Sequence, residues 1–477
     1  MKWQAKPYQL RGVQHVLDAA NGDGACMLLA DPGLGKTSMS LAAFITLRAR
    51  GKVGKLLVLA PRRALLATWP DEIAKWDQFS GLRVAVVNGT PEQRLHALCQ
   101  DADVYLARYD HLQWLGHLDP IYLAAFDMLV LDESTKVKNH GTQRMDGLTQ
   151  LLGRFAVRLA LTGTPVPLHV GDLFGQVYAC DSGRRLGASI TQFRMRYMRA
   201  KWLPTIPAPM WEPQHDALER VLADLDGMAL RIGTEGNLVM PELIHNTIKV
   251  TLPATAMNTY KRFKRDLLVQ IEGNEVVAAN AATAAMKLRQ IASGTVYVGD
   301  TIETIHDAKA EALIDLLQEQ QGSPLLIAVA FRSEAAYLVR KLKAAGFGTV
   351  PTLMGGMTDA AADKVIRDWN AGKLPAVICH PETVAHSLNL QSGGHSVCWY
   401  TMTYNLEHYT QFNARVYRQG QKSSVVIIHH IAALETVDEH VACVIESKDA
   451  RQDELFEALI NHAKDTHATG STRHAAA

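Results

Sequence analysis

Cysteine is scarce in this chain and scattered: Cys26, Cys99, Cys180, Cys379, Cys398 and Cys443 are all there is among 477 residues, and no two form a C-x-x-C pair. That spacing argues against a zinc site or a disulfide framework and fits reduced thiols in a cytosol-like compartment. Long apolar runs are missing too. Nowhere do eighteen apolar residues follow one another, and the opening Met-Lys-Trp-Gln-Ala-Lys-Pro has none of the apolar core a secretion signal needs. The expectation is a soluble cytoplasmic chain without a membrane partner. Net charge is almost absent as well. With 49 basic and 48 acidic residues the balance is +1, so any contact with a polyanion must come from a local patch.

What is present is an ordinary globular composition, 48% hydrophobic and 20% charged, long enough for two or three domains with real cores. Short apolar runs alternate with helical patterns. Met27 to Ala30, Lys55 to Ala60, Arg83 to Val87, Val104 to Ala107, Phe126 to Asp132 and Val157 to Thr162 read as strands in the first part of the chain. Pro324 to Ala330, Thr349 to Met354, Ala376 to Cys379, Val397 to Tyr400 and Val425 to Ile431 continue the alternation in the last part. Strands separated by helices predict doubly wound parallel sheets, an α/β fold.

The stretch Met27 to Ser40 carries the sharpest chemistry: an apolar strand, then Asp31-Pro32-Gly33-Leu34-Gly35, then Lys36-Thr37-Ser38 opening a helix. Glycines let backbone N–H groups close around polyphosphate oxygens, and the helix N-terminus adds its partial positive charge. Lys36 can reach the β- and γ-phosphates, and Thr37 can ligate Mg²⁺. Ala30 stands where the general phosphate-loop pattern has its first glycine. A second signal lies in Phe126 to Thr135, where an apolar strand runs into Asp132-Glu133. The C-terminal edge of a parallel sheet is where α/β folds bind ligands; Asp132 there would hold Mg²⁺ and Glu133 would orient and deprotonate the attacking water. Leu161-Thr-Gly-Thr-Pro165 follows another strand and places Thr162 and Thr164 to hydrogen-bond those carboxylates. Gln9, before the first helical pattern, could offer its amide to an adenine edge.

Taken in order, Tyr8-Gln9, the phosphate loop, Pro61 to Trp76, Tyr109, Asp132-Glu133, Lys138-Asn139 and Leu161 to Pro165 resemble the first lobe of the Swi/Snf-like ATPases of helicase superfamily two. In the last part, Gln411-Phe-Asn-Ala-Arg415-Val-Tyr-Arg418-Gln-Gly420-Gln421 is similar to that family's final helicase motif. The i, i+3 spacing predicts both guanidinium groups on one helix face, a planar charged fork suited to a transferring phosphoryl group. Ser387 to Leu390 resembles the motif that couples DNA to the nucleotide site, with His386 where a glycine is usual. Ser134-Thr135 replaces the familiar Ala-His, and Val166 to His169 also departs from the family's pattern.

The resemblance implies two RecA-like doubly wound parallel-sheet lobes with a helical insertion between them. The expected boundaries are an ATP-binding lobe over 1–182, an insertion and inter-lobe bridge over 183–305, a second lobe over 306–462, and a disordered tail over 463–477; His462, at the junction with the tail, and His467 within it give no metal site. It implies catalysis by Lys36, Glu133, Arg415 and Arg418, with ATP held by Gln9, Asp31 to Ser38 and Gln411, and Mg²⁺ held by Thr37 and Asp132. The implied partner is nucleic acid, namely double-stranded DNA, bound by a monomeric, compact enzyme of bacterial or phage type; a viral member would work in the host cytoplasm. The run Arg194, Arg196, Arg199, Lys201 with interleaved aromatics is a candidate for phosphate contact, and equally a solvated helix face. The middle stretch also holds the proline-rich loop Pro204 to Pro213 and Leu288 to Gly294, similar to a short helix end of the family. Translocation along duplex DNA, strand separation of DNA or RNA, and a nucleotide-gated clamp all remain open at this point.

Overall fold

The computed structural model describes residues 1–163, 170–202, 209–234, 240–273, 286–298, 301–384 and 390–447, and side chains for all of these but 266–273 and 298. They fall into two compact units that divide between residues 237 and 238. Among the described residues no helix is long and apolar enough to cross a membrane.

In the first unit, six apolar runs form β1 (Ala25–Ala30), β2 (Lys55–Ala60), β3 (Val84–Val87), β4 (Val104–Arg108), β5 (Phe126–Asp132) and β6 (Val157–Thr162). Every residue of β1 and β6 is buried, as strands covered by helices on both faces require. A small antiparallel ribbon follows, β7 (Met198–Lys201) with β8 (Met210–Pro213), and then β9 (Ala229–Ile232). The main sheet is parallel throughout, in the order β3-β4-β2-β5-β6-β1-β9. Its two faces carry separate cores. Leu57, Leu59, Leu129 and Leu131 pack with Leu112, Leu148 and Leu151 on one side, while Met27, Leu29 and Ala160 pack with Phe174, Val177 and Phe193 on the other.

The second unit begins with β10 (Glu242–Val250) and the ribbon of β11 (Thr295–Val298) and β12 (Thr301–Thr304). It continues with β13 (Leu325–Ala328), β14 (Thr352–Leu353), β15 (Ala376–Cys379), β16 (Ser396–Trp399) and β17 (Val425–Ala433). Its main sheet is also parallel, in the order β10-β17-β16-β13-β15-β14. The molecule is therefore α/β with two doubly wound, RecA-like parallel sheets.

Two features differ from the sequence expectation. Residues 183–305, expected to be helical, supply a strand to each main sheet: β9 lies beside β1 and β10 beside β17. The four residues of β9 are too few to carry a periodicity, and β10 is largely exposed, so neither shows the apolar run of a buried strand. Second, the helix bearing Gln411 spans Leu406–Asn413 and stops there, so Arg415 and Arg418 sit in the turns after it and not on a helix face. Gly420 at φ 86° belongs to the same turn-rich segment. Thr164, Pro165, Val166 to His169, His386, Ser387 to Asn389, Pro204, Pro207, His462 and His467 lie outside the described residues.

Candidate active site

In the first sheet β5, β6 and β1 are consecutive neighbours, which brings their C-terminal ends side by side. Leu29 pairs in register with Thr162, and Leu161 with Asp132, so the phosphate loop, Thr162 and the two carboxylates leave the sheet at one edge. Asp31, Pro32, Gly33, Leu34 and Gly35 make the turn after β1, and α2 runs Lys36–Ala49. Gly33 and Gly35 have φ of 87° and 82°, left-handed values that L side chains rarely adopt. A Cβ on Gly35 would come within 2.5 Å of Gln9 Nε2. No side chain caps the first turn of α2, so its orphan N–H groups face the loop that β1 delivers.

The loop is braced from three directions. From the first helix, α1 (Pro7–Asn21), Gln9 Nε2 donates to the Leu34 carbonyl at 3.1 Å, and Gln9 Oε1 accepts the Lys6 N–H at 3.0 Å. Gln9 is buried, with its amide tied to protein on both sides. From β9, Arg231 donates to Asp31 Oδ1 at 2.6 Å and to the Leu29 carbonyl at 3.1 Å, while the Thr234 N–H reaches Asp31 Oδ2 at 2.8 Å. From β6, Gly163 lets Pro32 approach; a Cβ there would meet Ala30 O at 3.2 Å and Pro32 Cδ at 3.3 Å. Inside the loop, Lys36 Nζ donates to the Ala30 carbonyl at 2.7 Å. Thr37 is half-buried beside it, and Ser38 is buried with its hydroxyl bonded to Glu72.

Asp132 is buried at the end of β5. Burial pushes its carboxyl up; the Trp69 hydrogen bond, the Lys36 ammonium and the Glu133 amide pull the other way. Trp69 Nε1 donates to Asp132 Oδ2 at 2.9 Å, and the buried Tyr109 hydroxyl donates to the Asp132 carbonyl at 2.8 Å. Glu133 has φ 59° and ψ 63°, left-handed and not glycine, a conformation costing roughly 1–3 kcal/mol that concentrates at functional sites. Behind it, Ser134 Oγ donates to Gln176 Oε1 at 2.7 Å, both groups being fully buried.

In the second unit, Gln411 is buried and donates to Glu407 Oε1 at 3.3 Å, and Arg415 Nε returns to the Gln411 carbonyl at 3.1 Å. Arg418 is half-buried, and desolvation lowers its guanidinium pKa from the ordinary value. The basic run of the first unit is engaged internally. Arg196 pairs with Asp224 at 3.0 Å, Arg199 and Lys201 both pair with Glu212, and Arg194 lies over the Trp211 ring. Sequence reading assigned no role to Trp69, Glu72 or Arg231. Trp69 had a usable signal, since a buried indole N–H almost always finds an acceptor, but nothing in the sequence marks Glu72 or Arg231.

Comparison with known proteins identifies the family of the chain. Residues 8–294 match the SNF2-related domain, and residues 308–420 match the helicase conserved C-terminal domain. Protein p41 of Acyrthosiphon pisum secondary endosymbiont phage 1 is 34% identical over 471 residues, covering 95% of this chain and 98% of the relative. YwqA of Bacillus subtilis, whose name describes an ATP-dependent helicase/translocase, is 25% identical over 96% of this chain, which spans only 49% of that longer protein. Among solved structures, the Sulfolobus solfataricus SWI2/SNF2 ATPase core in complex with dsDNA is 22% identical with a TM-score of 0.45, covering 95% of this chain and 93% of that one. The chain belongs to the SNF2-related family of ATP-dependent helicase/translocase enzymes, with the helicase C-terminal domain in its second half.

Proposed function

We propose that the enzyme couples ATP hydrolysis to translocation along double-stranded DNA without separating the strands. The observation that carries the nucleotide part is the single sheet edge at which two left-handed glycines, the uncapped N-terminus of α2, Lys36, Asp132 and Glu133 emerge together. Loop amides and Lys36 hold the phosphates, and Asp31, Pro32, Leu34 and Gln9 keep the loop in that shape.

A hydroxyl from Thr37 and a carboxylate from Asp132 are hard oxygen donors of the kind Mg²⁺ takes, and that ion commonly needs only one or two protein ligands beside substrate phosphates. Bound there, Mg²⁺ would offset phosphate charge. Glu133 orients the attacking water and takes its proton. Arg415 and Arg418 from the second unit offer guanidinium groups to the charge that grows on the transferring phosphoryl oxygens, with Gln411 fixing the start of their turn. The duplex-DNA part of the reading comes from the resemblance of the ordered motifs to Swi/Snf-like ATPases.

The test is ATPase rate measured in parallel with no nucleic acid, single-stranded DNA, double-stranded DNA and RNA, beside triplex-displacement and duplex-unwinding assays, with Lys36→Ala as the inactive control. Stimulation greatest with double-stranded DNA, and displacement of a third strand without unwinding, is expected. ATP-dependent unwinding would replace translocation with a strand-separating reading. Binding without movement in either assay would leave a nucleotide-gated clamp.

A further inference from the structure

The short helix α3 (Trp69–Lys75) enters the site from behind and touches it at two places. Trp69 is fully buried, and its one polar atom donates to Asp132 Oδ2 at 2.9 Å. One turn along the same face, Glu72 accepts the Ser38 hydroxyl on α2 and the Trp76 indole N–H, the latter at 2.7 Å. Residues three apart share a helix face, so Trp69 and Glu72 form one row, and Trp76, the extended residue that ends the helix, bonds back to it. The row reaches a carboxylate at the end of β5 and the residue that follows Thr37.

The local backbone is built for this. Residues 64–68 widen into a π-helical turn directly before α3. Pro70 has no N–H for the carbonyl four residues back and its ring crowds that position, so the preceding turn opens. Single π-turns inside helices gather at functional sites because they re-aim the side chains that follow.

The geometry points to α3 as a bracket: Trp69 and Glu72 are positioning residues that set the rotamer of Asp132 and its spacing from Thr37, and so the affinity of the site for Mg²⁺-nucleotide. This rests on the reading of Thr37 and Asp132 as the metal-holding pair. A neutral indole donor suits the role, since it occupies Oδ2 without adding a charge that would compete with the cation. Groups that orient a metal ligand from behind are commonly worth 10–100-fold in metal affinity.

The experiment is binding of a fluorescent ADP analogue to the full chain across a Mg²⁺ titration and in EDTA, with thermal unfolding alongside. Trp69→Phe keeps an aromatic ring in the core and removes the N–H. It is expected to raise the half-saturating Mg²⁺ concentration by about 10-fold or more, with nucleotide affinity in EDTA unchanged. Glu72→Ala, at a half-buried position, repeats the test without opening the core and is expected to shift the curve in the same direction. Wild-type Mg²⁺ dependence in Glu72→Ala, or in a folded Trp69→Phe, overturns the bracket alone. Nucleotide binding by the wild-type chain that ignores Mg²⁺ overturns the metal pair and the bracket with it.

Discussion

A single residue, Glu133, shows how the site is prepared. Its left-handed backbone turns the chain away from β5 immediately after Asp132, so the two carboxylates leave the strand in different directions. One is buried and bonded to Trp69, while the other stays partly exposed at the sheet edge. Glu133→Gln keeps size and shape and removes the basic oxygen. It is expected to leave ATP affinity within a few-fold of wild type and to lower kcat by at least about 10²-fold, since a positioned general base contributes roughly 10²–10⁴. Equilibrium binding together with single-turnover hydrolysis checks both halves. Much of this was legible. The loop residues, Asp132 and Glu133 are marked by type and spacing, because phosphate and metal chemistry admits few residue types at few offsets. The strain at Glu133 was not, since φ depends on what packs around the turn.

At the scale of elements, β17 carries a device that the sequence hides. His429 and His430 follow one another on a buried strand, so their rings go to opposite faces of the sheet. His430 Nε2 meets the Tyr409 hydroxyl at 2.9 Å and its ring stacks on His245 of β10, while His429 Nδ1 meets Asn246 Nδ2 at 3.1 Å. Burial, followed by the neighbouring His245 and His429, pulls His430 down to about 4.

The ring is thus neutral in the folded chain, whereas the unfolded chain takes up a proton near pH 6.5. Below that pH the unfolded state binds more protons, so stability contributed here is complete above about 6.5 and is lost as pH falls toward 4. Urea melts of the full chain should show this decline, and His430→Gln should make it shallower without abolishing it, since burial also pulls His111 down to about 4 and lowers His15, His245, His306 and His429; parallel slopes in the two proteins would remove the assignment. Adjacent histidines in a strand pattern carry no sign that both will be buried or of what each ring will meet. The π-turn before α3 is hidden in the same way, although Pro70 signals some interruption of the helix.

At the scale of the molecule, the two units are alike in architecture and unlike in equipment. Both are parallel sheets wrapped by helices, but the glycine-rich phosphate loop occurs only in the first, and the Gln411 to Gln421 motif only in the second. Turnover is therefore expected to need both. Arg418→Ala should keep ATP binding close to wild type and slow hydrolysis by on the order of 10³-fold, the range of an arginine that acts on a transferring phosphoryl group. A rate within a few-fold of wild type, measured at saturating ATP and DNA, would leave the second unit without a role in the chemistry.

By itself the sequence determined the fold class, the two-sheet organisation and the order of the nucleotide motifs. Buried parallel strands must be written as apolar runs, and phosphate-binding turns need glycine and lysine at set spacings. Only the tertiary structure decided the support around them: Arg231 on Asp31, Gln9 on Leu34, Trp69 on Asp132, Glu72 on Ser38, and the turn that carries Arg415 and Arg418 off the end of their helix. The physical reason is range. A strand or a phosphate loop is specified by residues a few positions apart, whereas each brace joins residues from 25 to about 200 positions apart that meet only when the sheet has formed.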